Sequence, residues 1–382
     1  MTGWKTKAIA LADELEARGN LTDPRWRSAV EAVPRHVFVP RFYDGQRNLV
    51  DSADPDQQDR WLSVVYSDIS LVTQRTRVPD TDVDWPTSSS SMPSLMIDML
   101  EALSVADGHR VLEIGTGTGY NAALLSHRLG AANVTSIDLD PHLVTDAWQR
   151  LASVGYRPHL VVGDGAAGVP ERAPYDSIIA TCAVSAIPPA WIDQIIEGGT
   201  ILTDVRGEVS GTLILLRKTS PEAVTGRVLT RPGSFMWLRA QADNPLRDGG
   251  RYTTVFNLDG AQFRLTDVDP KLLEDVDFRF VVQRYVPTLQ SMTWIRRDDV
   301  AVLVLHGSDA SWAEVTAIET EAGRYALTQG GPRPIWDDVE RAAAAWNTLG
   351  RPARHRFGLT ATVDGAHHYW LDNPEGQHLD PP

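Results

Sequence analysis

The stretch VLEIGTGTGYNAALL, residues 111–125, decides the fold of this 382-residue chain. A short apolar run leads directly into G-x-G-x-G, with glycines at 115, 117 and 119, and then into a helical pattern. Glycine permits the sharp turns and the close backbone approach that a bound ligand requires, and a helix start offers free amide donors. The stretch therefore predicts a strand, a ligand-binding turn and a helix.

Short apolar runs alternate with amphipathic stretches on both sides of this turn. The runs are RVLEIG, VTSIDL, HLVVGD, YDSIIATC, GTILTDV and TLILLRK, and with their connections they fill residues 109–218. Such alternation is typical of a doubly wound α/β sheet. We expect a Rossmann-like core over about residues 94–218.

Three acids accompany the glycines. Glu113 precedes them, Asp138 ends the next strand, and Asp164 follows the third. A dinucleotide fold would instead show G-x-G-x-x-G, whereas an acid before G-x-G-x-G favours S-adenosylmethionine, with Asp138 on the ribose and Asp164 on the adenine. Alternatively, the acids only cap helices or line a sheet edge. The residues assigned to the cofactor are Glu113, Gly115, Thr116, Gly117, Gly119, Asp138, Leu139, Asp164 and Gly165.

The regions on either side of this core show different sequence patterns. Helices are expected in the first 45 residues, with Asp23 as an N-cap before Pro24, followed by VPRHVFVPRFY as an exit loop. Residues 51–86 are irregular and acidic, which predicts mostly loop. Beyond residue 218 the alternation ends, and the chain leads through FMWLRAQ into a second domain.

That C-terminal part predicts an α+β accessory domain. It contains the apolar run AVLVLHG, the helical stretch WDDVERAAAAWNTLG, and a strand pair in FGLTATVDGAHHYWLD turning at Asp364-Gly365. We place a catalytic domain at 1–240 and the accessory domain at 241–382. Trp294, Trp336 and Trp370 are candidates for docking a peptide, with core packing as the alternative.

Composition narrows the function classes. A formal net charge of −14 argues against nucleic acid as a partner, and no apolar stretch is long enough for a membrane helix. The single cysteine, Cys182, suits a reducing compartment, so we expect a cytoplasmic protein. Adjacent His367 and His368 would point to opposite faces of a strand, so we expect no metal. The oligomeric state stays open.

Over about residues 20–240 the chain resembles the protein-L-isoaspartate O-methyltransferase family. The resemblance rests on VPRHVFVP, SSSSMP, VLEIGTGTGYNAALL, and GDGAAGVPERAPYDSIIATCAVSAIP followed by DQIIEGGTIL, in family order. It implies a Rossmann-like sheet with a reversed final hairpin, and a carboxylate of a peptide or protein as methyl acceptor.

The family carries a Thr-Ile-Ser-x-Pro motif whose hydroxyls meet the methyl donor and the acceptor. The matching residues begin at Ser89, so Ser91 is the motif's serine, Ser89 takes the place of the threonine, and Ser90 replaces an aliphatic residue. The resemblance implies that Ser91, with Ser89, holds the acceptor. Ser90 faces the acceptor region and departs from the family, which puts the isoaspartate preference in doubt.

The C-terminal extension resembles that of methyltransferases which tailor ribosomally made peptides, the lanthipeptides and graspetides. It implies methylation of an aspartate in a crosslinked precursor peptide, whose ester then closes to an aspartimide (succinimide). The alternatives are repair of isoaspartyl damage, a small-molecule O-methyltransferase, and a non-catalytic protein that binds cofactor or peptide.

Overall fold

The computed structural model describes residues 3–77, 84–239, 260–320 and 322–379. Its helices, numbered in chain order, are α1 (Trp4–Ala17), α2 (Pro24–Ala32), α3 (Arg35–Phe38), α4 (Gln58–Val65), α5 (Pro93–Ala102), α6 (Tyr120–Leu129), α7 (Pro141–Ser153), α8 (Pro189–Gln194), α9 (Val276–Tyr285) and α10 (Ile335–Thr348). Its strands are β1 (Arg41–Tyr43), β2 (Leu49–Asp51), β3 (Leu71–Arg77), β4 (Asp84–Ser90), β5 (Val111–Ile114), β6 (Val134–Asp138), β7 (His159–Val162), β8 (Tyr175–Val184), β9 (Ile195–Arg206), β10 (Gly211–Ser220), β11 (Ala223–Val228), β12 (Gln262–Thr266), β13 (Leu289–Arg297), β14 (Val300–Gly307), β15 (Trp312–Glu319), β16 (Tyr325–Gly330), β17 (Phe357–Thr362) and β18 (His367–Leu371).

A nine-stranded sheet forms the centre, in the order β18-β17-β11-β10-β9-β8-β5-β6-β7. Strands β5 to β9 pair in parallel, and β10, β11, β17 and β18 pair antiparallel. All six predicted strands of residues 109–218 are present. The arrangement confirms the α/β class and the reversed strands after β9.

The two faces of this sheet carry separate cores. On one face the apolar sides of α1, α2, α5 and α6 pack together, with Leu11, Trp26 and Leu100 buried. On the other face α8, α9 and α10 pack against the sheet, burying Trp191, Phe280 and Trp336. Strand β5 is buried at every residue and, apart from Glu113, consists of apolar residues, as is typical of strands covered on both faces.

The C-terminal part is α+β, as expected. Five strands form an antiparallel sheet in the order β12-β16-β15-β14-β13. In sequence, α9 lies between β12 and β13, and α10 separates the sheet from the last hairpin. That hairpin, β17–β18, turns at the predicted Asp364-Gly365 and extends the central sheet by pairing with β11. The predicted boundary at residue 240 lies outside the described residues.

The N-terminal helices follow the sequence pattern. The side chain of Asp23 accepts a hydrogen bond from the Arg25 amide and caps α2, whose first residue is Pro24. An N-cap side chain accepts from an otherwise unpaired amide of the helix start, and a proline in the first turn has no amide hydrogen to leave unpaired.

Residues 51–86 correct the sequence prediction, because they are not mostly loop. They contain α4 and β3 and begin β4, and the predicted exit loop VPRHVFVPRFY contains α3 and β1. Strands β2, β1, β3 and β4 pair in this order as a separate four-stranded sheet. These strands are short or polar, and pairing with neighbours outweighs their weak intrinsic preference.

Two of the three candidate docking tryptophans belong to the core. Trp336 and Trp370 are buried, whereas Trp294 is half-buried on β13. Core packing therefore explains Trp336 and Trp370. In the described part of the chain, no helix is long and apolar enough to cross a membrane.

Candidate active site

A cavity of about 460 Å³ lies where β5, β6 and β8 meet the glycine turn. The segment Pro86–Met92 lines one side of it. Of the predicted site residues, those that line the cavity are Ser89, Ser90, Ser91, Glu113, Gly115, Thr116, Gly117, Asp138, Leu139 and Gly165. Gly119 and Asp164 do not line it.

The glycine turn requires its glycines. Gly115, Gly117 and Gly119 have φ angles of 94°, 51° and 88°, in the left-handed region that side chains rarely adopt. A Cβ on Gly115 would lie 2.8 Å from the Thr181 hydroxyl, which donates to the Gly115 carbonyl. On Gly119 it would meet Ala147 of α7 at 3.1 Å, so this glycine serves helix packing. The turn keeps its backbone open toward the cavity.

Glu113 is fully buried at the floor of the cavity. Its carboxylate accepts hydrogen bonds from the Asn121 amide (2.8 Å) and the Ser136 hydroxyl (2.5 Å). Burial, together with a smaller effect of nearby Asp138, raises the pKa of Glu113 to about 7, although the two hydrogen-bond donors oppose the shift. Near neutral pH this carboxyl is therefore poised between its neutral and charged forms.

Sequence reasoning missed Asn121 and Ser136. The Asn121 side-chain oxygen is buried and has no hydrogen-bond partner in the described residues, although Asn121 lines the cavity. An unpaired buried acceptor beside a cavity indicates a missing donor. The available signal was polar residues inside apolar elements, such as Ser136 within β6 and Asn121 in the first turn of α6.

Asp138 closes the glycine turn at the end of β6. One carboxylate oxygen accepts from the Gly117 amide (2.9 Å), and the other accepts from the Asp140 amide (3.1 Å). The Arg239 guanidinium lies 3.6 Å from the second oxygen. Asp138 thus stands at the cavity edge, where the sequence predicts a ribose partner.

Asp164 has a local structural task. It is exposed, and its side chain accepts from the Ala166 amide (2.8 Å), capping a short 3-10 turn. This is the alternative that the sequence left open for the acids. A contact to an adenine stays a prediction for Asp164, whereas the next residue, Gly165, does line the cavity.

The four consecutive serines at 88–91, the serine run, differ in whether their hydroxyls have hydrogen-bond partners. The Ser88 hydroxyl accepts from Thr73 (3.4 Å), and that of Ser90 accepts from Arg35 (3.4 Å). Among the described residues, no hydrogen-bond partner meets the hydroxyls of Ser89 and Ser91, which both line the cavity. The hydroxyls of Ser89, on β4, and of Ser91, directly after it, are therefore available to a ligand in the cavity.

Arg35 holds the C-terminal end of the serine run in place through hydrogen bonds. It is completely buried, and its guanidinium donates to the carbonyls of Val65 (2.7 Å), Ser67 (3.1 Å) and Ser91 (3.1 Å). The same group lies over the Tyr120 ring at 5.7 Å. Burial lowers the pKa of Arg35, yet an arginine stays charged in proteins. Arg35 therefore fixes the position of the Ser91 backbone.

The segment 234–239 forms a further wall of the cavity that the sequence did not predict. It runs along β8, where the Ala183 amide donates to the Met236 carbonyl and the Leu238 amide to the Ala183 carbonyl, both at 2.8 Å. The buried Asp204 carboxylate accepts from the Phe235 amide (3.1 Å). Contacts between segments that are distant in sequence hold this wall in place. No local sequence pattern therefore predicts it.

Two other singled-out residues have structural environments. Cys182 is buried on the cavity wall, and burial raises the pKa of its thiol, which leaves it neutral. The His367 ring nitrogen accepts from the Ile187 amide (3.1 Å), tying β18 to the connection between β8 and α8. The described residues contain no cluster of three or more side chains suited to a metal ion.

Known proteins are similar to this chain in sequence and in fold. The family model "Protein-L-isoaspartate(D-aspartate) O-methyltransferase (PCMT)" matches residues 6–231. A protein-L-isoaspartate O-methyltransferase 2 from Anaeromyxobacter sp. (strain Fw109-5) is 36% identical over 54% of this chain and 73% of its own. A protein-L-isoaspartate O-methyltransferase from Methanoculleus marisnigri is 34% identical over 57% of this chain and 83% of its own.

A solved structure extends the likeness in fold to the C-terminal part. A chain described as a protein-L-isoaspartate O-methyltransferase aligns with a TM-score of 0.54 at 22% identity, covering 96% of this chain and 100% of its own. The match to more than half of the chain by the family model decides membership. This chain belongs to the protein-L-isoaspartate(D-aspartate) O-methyltransferase family and is an S-adenosylmethionine-dependent protein carboxyl O-methyltransferase.

Proposed function

We propose that this enzyme methylates the side-chain carboxylate of an aspartate in a ribosomally synthesised, crosslinked peptide. The observation that carries the proposal is the serine run. Ser89 and Ser91 leave two hydroxyls open to the cavity, and buried Ser90 replaces the aliphatic residue of the family motif. A polar change at this position alters the wall that an acceptor contacts, which favours an acceptor other than the usual one.

The cavity fits S-adenosylmethionine. The glycine turn leaves space for a ligand that side chains at these positions would reduce. The cavity wall also carries the unpaired Asn121 oxygen and the buried Glu113 carboxyl. When bound, this cofactor supplies a methyl group on a positively charged sulfur. We assign Glu113, Asn121 and Asp138 to holding it, with Gly115, Thr116, Gly117, Leu139 and Gly165 shaping the cavity. Gly119 acts indirectly through helix packing, and Asp164 stands next to the wall.

The acceptor needs orientation more than activation. A carboxylate is ionised at neutral pH, so no base must remove a proton, and the rate depends on alignment. In the proposal, the Ser89 and Ser91 hydroxyls donate to one carboxylate oxygen while the other faces the methyl group. Arg35 keeps the Ser91 backbone in place without touching the acceptor.

The later step follows from ester chemistry. The methyl ester carbonyl is attacked by the backbone amide nitrogen of the following residue. A C–N bond forms, the C–O bond breaks, and the methoxide leaves as methanol with the amide proton. The product is a five-membered aspartimide, and no additional residue of this chain is required.

Repair of isoaspartyl residues is the second candidate. The relatives named above favour it, and the solved structure that aligns along the C-terminal part is also described as a protein-L-isoaspartate O-methyltransferase. The C-terminal extension therefore does not separate the two candidates. Only the acceptor does.

Mass spectrometry after incubation with S-adenosylmethionine and two acceptors tests the proposal. The acceptors are an isoaspartyl peptide and the crosslinked product of a neighbouring peptide-modifying gene cluster. We expect the crosslinked peptide alone to gain one methylene mass and then lose methanol. Methylation of the isoaspartyl peptide instead would establish repair, and transfer to neither would reject both candidates.

Restoring an aliphatic side chain at position 90 probes the serine run directly. We expect Ser90→Val to lower kcat/KM for the crosslinked peptide by about tenfold, since Arg35 loses one of its acceptors and the wall changes polarity. Unchanged affinity for S-adenosylhomocysteine, measured by calorimetry, controls for folding. Equal kcat/KM values for both proteins would contradict the proposed part of Ser90.

Gly115→Ala is expected to weaken binding of S-adenosylhomocysteine at least tenfold. The new Cβ would press on the Thr181 hydroxyl at 2.8 Å, while φ is 94°. Titration calorimetry measures the affinity. Gly108→Ala is the matched control, because Gly108 also has a positive φ, 84°, but nothing lies within 4 Å of its Cβ position. Equal affinities in the two variants would show that the Thr181 contact does not matter.

Glu113 gives the free protein a pH-dependent stability. Its pKa is about 7 when folded and near 4.5 when unfolded, so its stabilising effect is complete below pH 4.5 and disappears as the pH rises through 7. We expect the free energy of unfolding to fall by about 2–3 kcal/mol between pH 5 and 8 relative to Glu113→Gln. Urea unfolding at each pH measures the difference.

The same group links pH to cofactor binding. A positively charged ligand favours ionised Glu113, so binding of S-adenosylmethionine should release a proton near pH 6.5 in the wild type. Calorimetry in buffers of different ionisation enthalpy detects this proton. If Glu113→Gln released an equal number of protons, the assignment of Glu113 would be wrong.

A further inference from the structure

Strand β4 is an edge strand that leads into the active site. In the sheet β2-β1-β3-β4 it pairs antiparallel with β3, and no other described strand pairs with it. The opposite edge of the sheet is the short strand β2. An edge strand presents a row of unpaired amides and carbonyls, and an extended chain can pair with them.

The position of β4 relative to the cavity sets it apart from β2. Its second half, Pro86–Ser90, lines the cavity, and the acceptor serine Ser91 follows directly. Its first half extends away, where Trp85 is 44% exposed. A chain that lay along β4 would therefore reach from the outer surface to the methyl-transfer site.

Internal contacts hold β4 in place from its β3 side. The Thr87 hydroxyl donates to the Gln74 side chain (2.8 Å), and the Arg75 guanidinium contacts both the carbonyl and the carboxylate of Asp84. The buried hydroxyls of Ser88 and Ser90 accept from Thr73 and Arg35. The strand is therefore already ordered before a partner binds, so binding does not lose free energy through ordering of β4.

We propose that an extended segment of the polypeptide acceptor adds to β4 as a fifth strand and so delivers its carboxylate to Ser89 and Ser91. The inference rests on the proposed function in requiring a peptide acceptor. Continuity of β4 with the cavity commits the edge to the acceptor rather than to another partner. Pairing through the backbone fixes the path of the peptide without reading its side chains, and the cavity selects the residue that is methylated.

An N-methyl scan of the acceptor peptide tests this pairing. In an antiparallel or parallel strand pair, only alternate residues present their amides to the partner. We therefore expect N-methylation to weaken binding about tenfold at every second residue beside the acceptor aspartate, and little at the residues between. Binding is measured with S-adenosylhomocysteine present, for both the crosslinked and the isoaspartyl peptide.

Hydrogen exchange supplies the matching observation on the enzyme. The acceptor peptide should slow amide exchange in β4, and leave β2, the opposite edge, unchanged. A loss of affinity that does not alternate, equal protection of β2, or no binding of either peptide would overturn the inference. Methyl transfer without alternation would leave the proposed function standing, whereas alternation without transfer would remove the function and keep the docking strand.

Discussion

Replacing Arg35 with methionine is expected to destabilise the folded protein by about 3 kcal/mol and to raise KM for the acceptor. The guanidinium is buried and donates to backbone carbonyls from two segments, at residues 65–69 and at Ser91. Methionine fills a similar volume but leaves those carbonyls without donors, and each unpaired buried group costs about 1–3 kcal/mol. Urea unfolding gives the free energy, and steady-state kinetics give KM.

Two comparison variants sharpen this test. Arg35→Lys keeps the charge but offers a single donor point, so an intermediate loss is expected. Arg25→Met removes an exposed arginine whose partner is its neighbour Asp23, and little change in the unfolding midpoint is expected there. If Arg35→Met unfolded at the same urea concentration as the wild type, the anchoring role of Arg35 would be wrong.

Arg35 also shows where sequence reasoning succeeded and where it stopped. The motif VPRHVFVP pointed to the family, but not to a buried cation beneath the acceptor strand. Its partners lie on residues 65–91, a region whose polar strands β3 and β4 lack an apolar alternation. A strand that is held by long-range pairing and one buried arginine leaves little trace in local sequence.

The central sheet was predictable for the opposite reason. Strands covered on both faces are rich in apolar residues, so β5 and β8 stand out from the sequence although single polar residues such as Glu113 interrupt them. The glycine turn was equally clear, because positive φ angles restrict positions 115, 117 and 119 to glycine. The wall at 234–239 escaped prediction, since only its pairing with β8 brings it to the cavity.

A chain ended after residue 239 is expected not to fold cooperatively. Strand β11 would lose its partner β17, and the core that α9 and α10 complete would be open to water. Its buried members include Phe280, Trp336 and Leu359, and each large side chain removed from a core costs about 2–5 kcal/mol. Several such losses exceed the total stability of an ordinary protein, about 5–15 kcal/mol.

Circular dichroism during heating measures this outcome. As a graded companion in the full chain, Leu359→Ala should lower the melting temperature while preserving a cooperative transition. His368→Ala, an exposed position on the same hairpin, should leave it unchanged. A shortened chain that melted cooperatively and bound S-adenosylhomocysteine like the full chain would show that residues 3–239 are an independent domain.

The place of the hairpin β17–β18 also affects how the protein is made. A ribosome delivers β11 long before it delivers β17, with α9, α10 and a second sheet translated between them. Until the hairpin emerges, β11 is an open strand edge on a nearly finished sheet, the kind of surface on which nascent chains aggregate. The catalytic sheet can therefore close only after residues 357–371 have been translated, so yield in the cell should depend on chaperones that shield this edge.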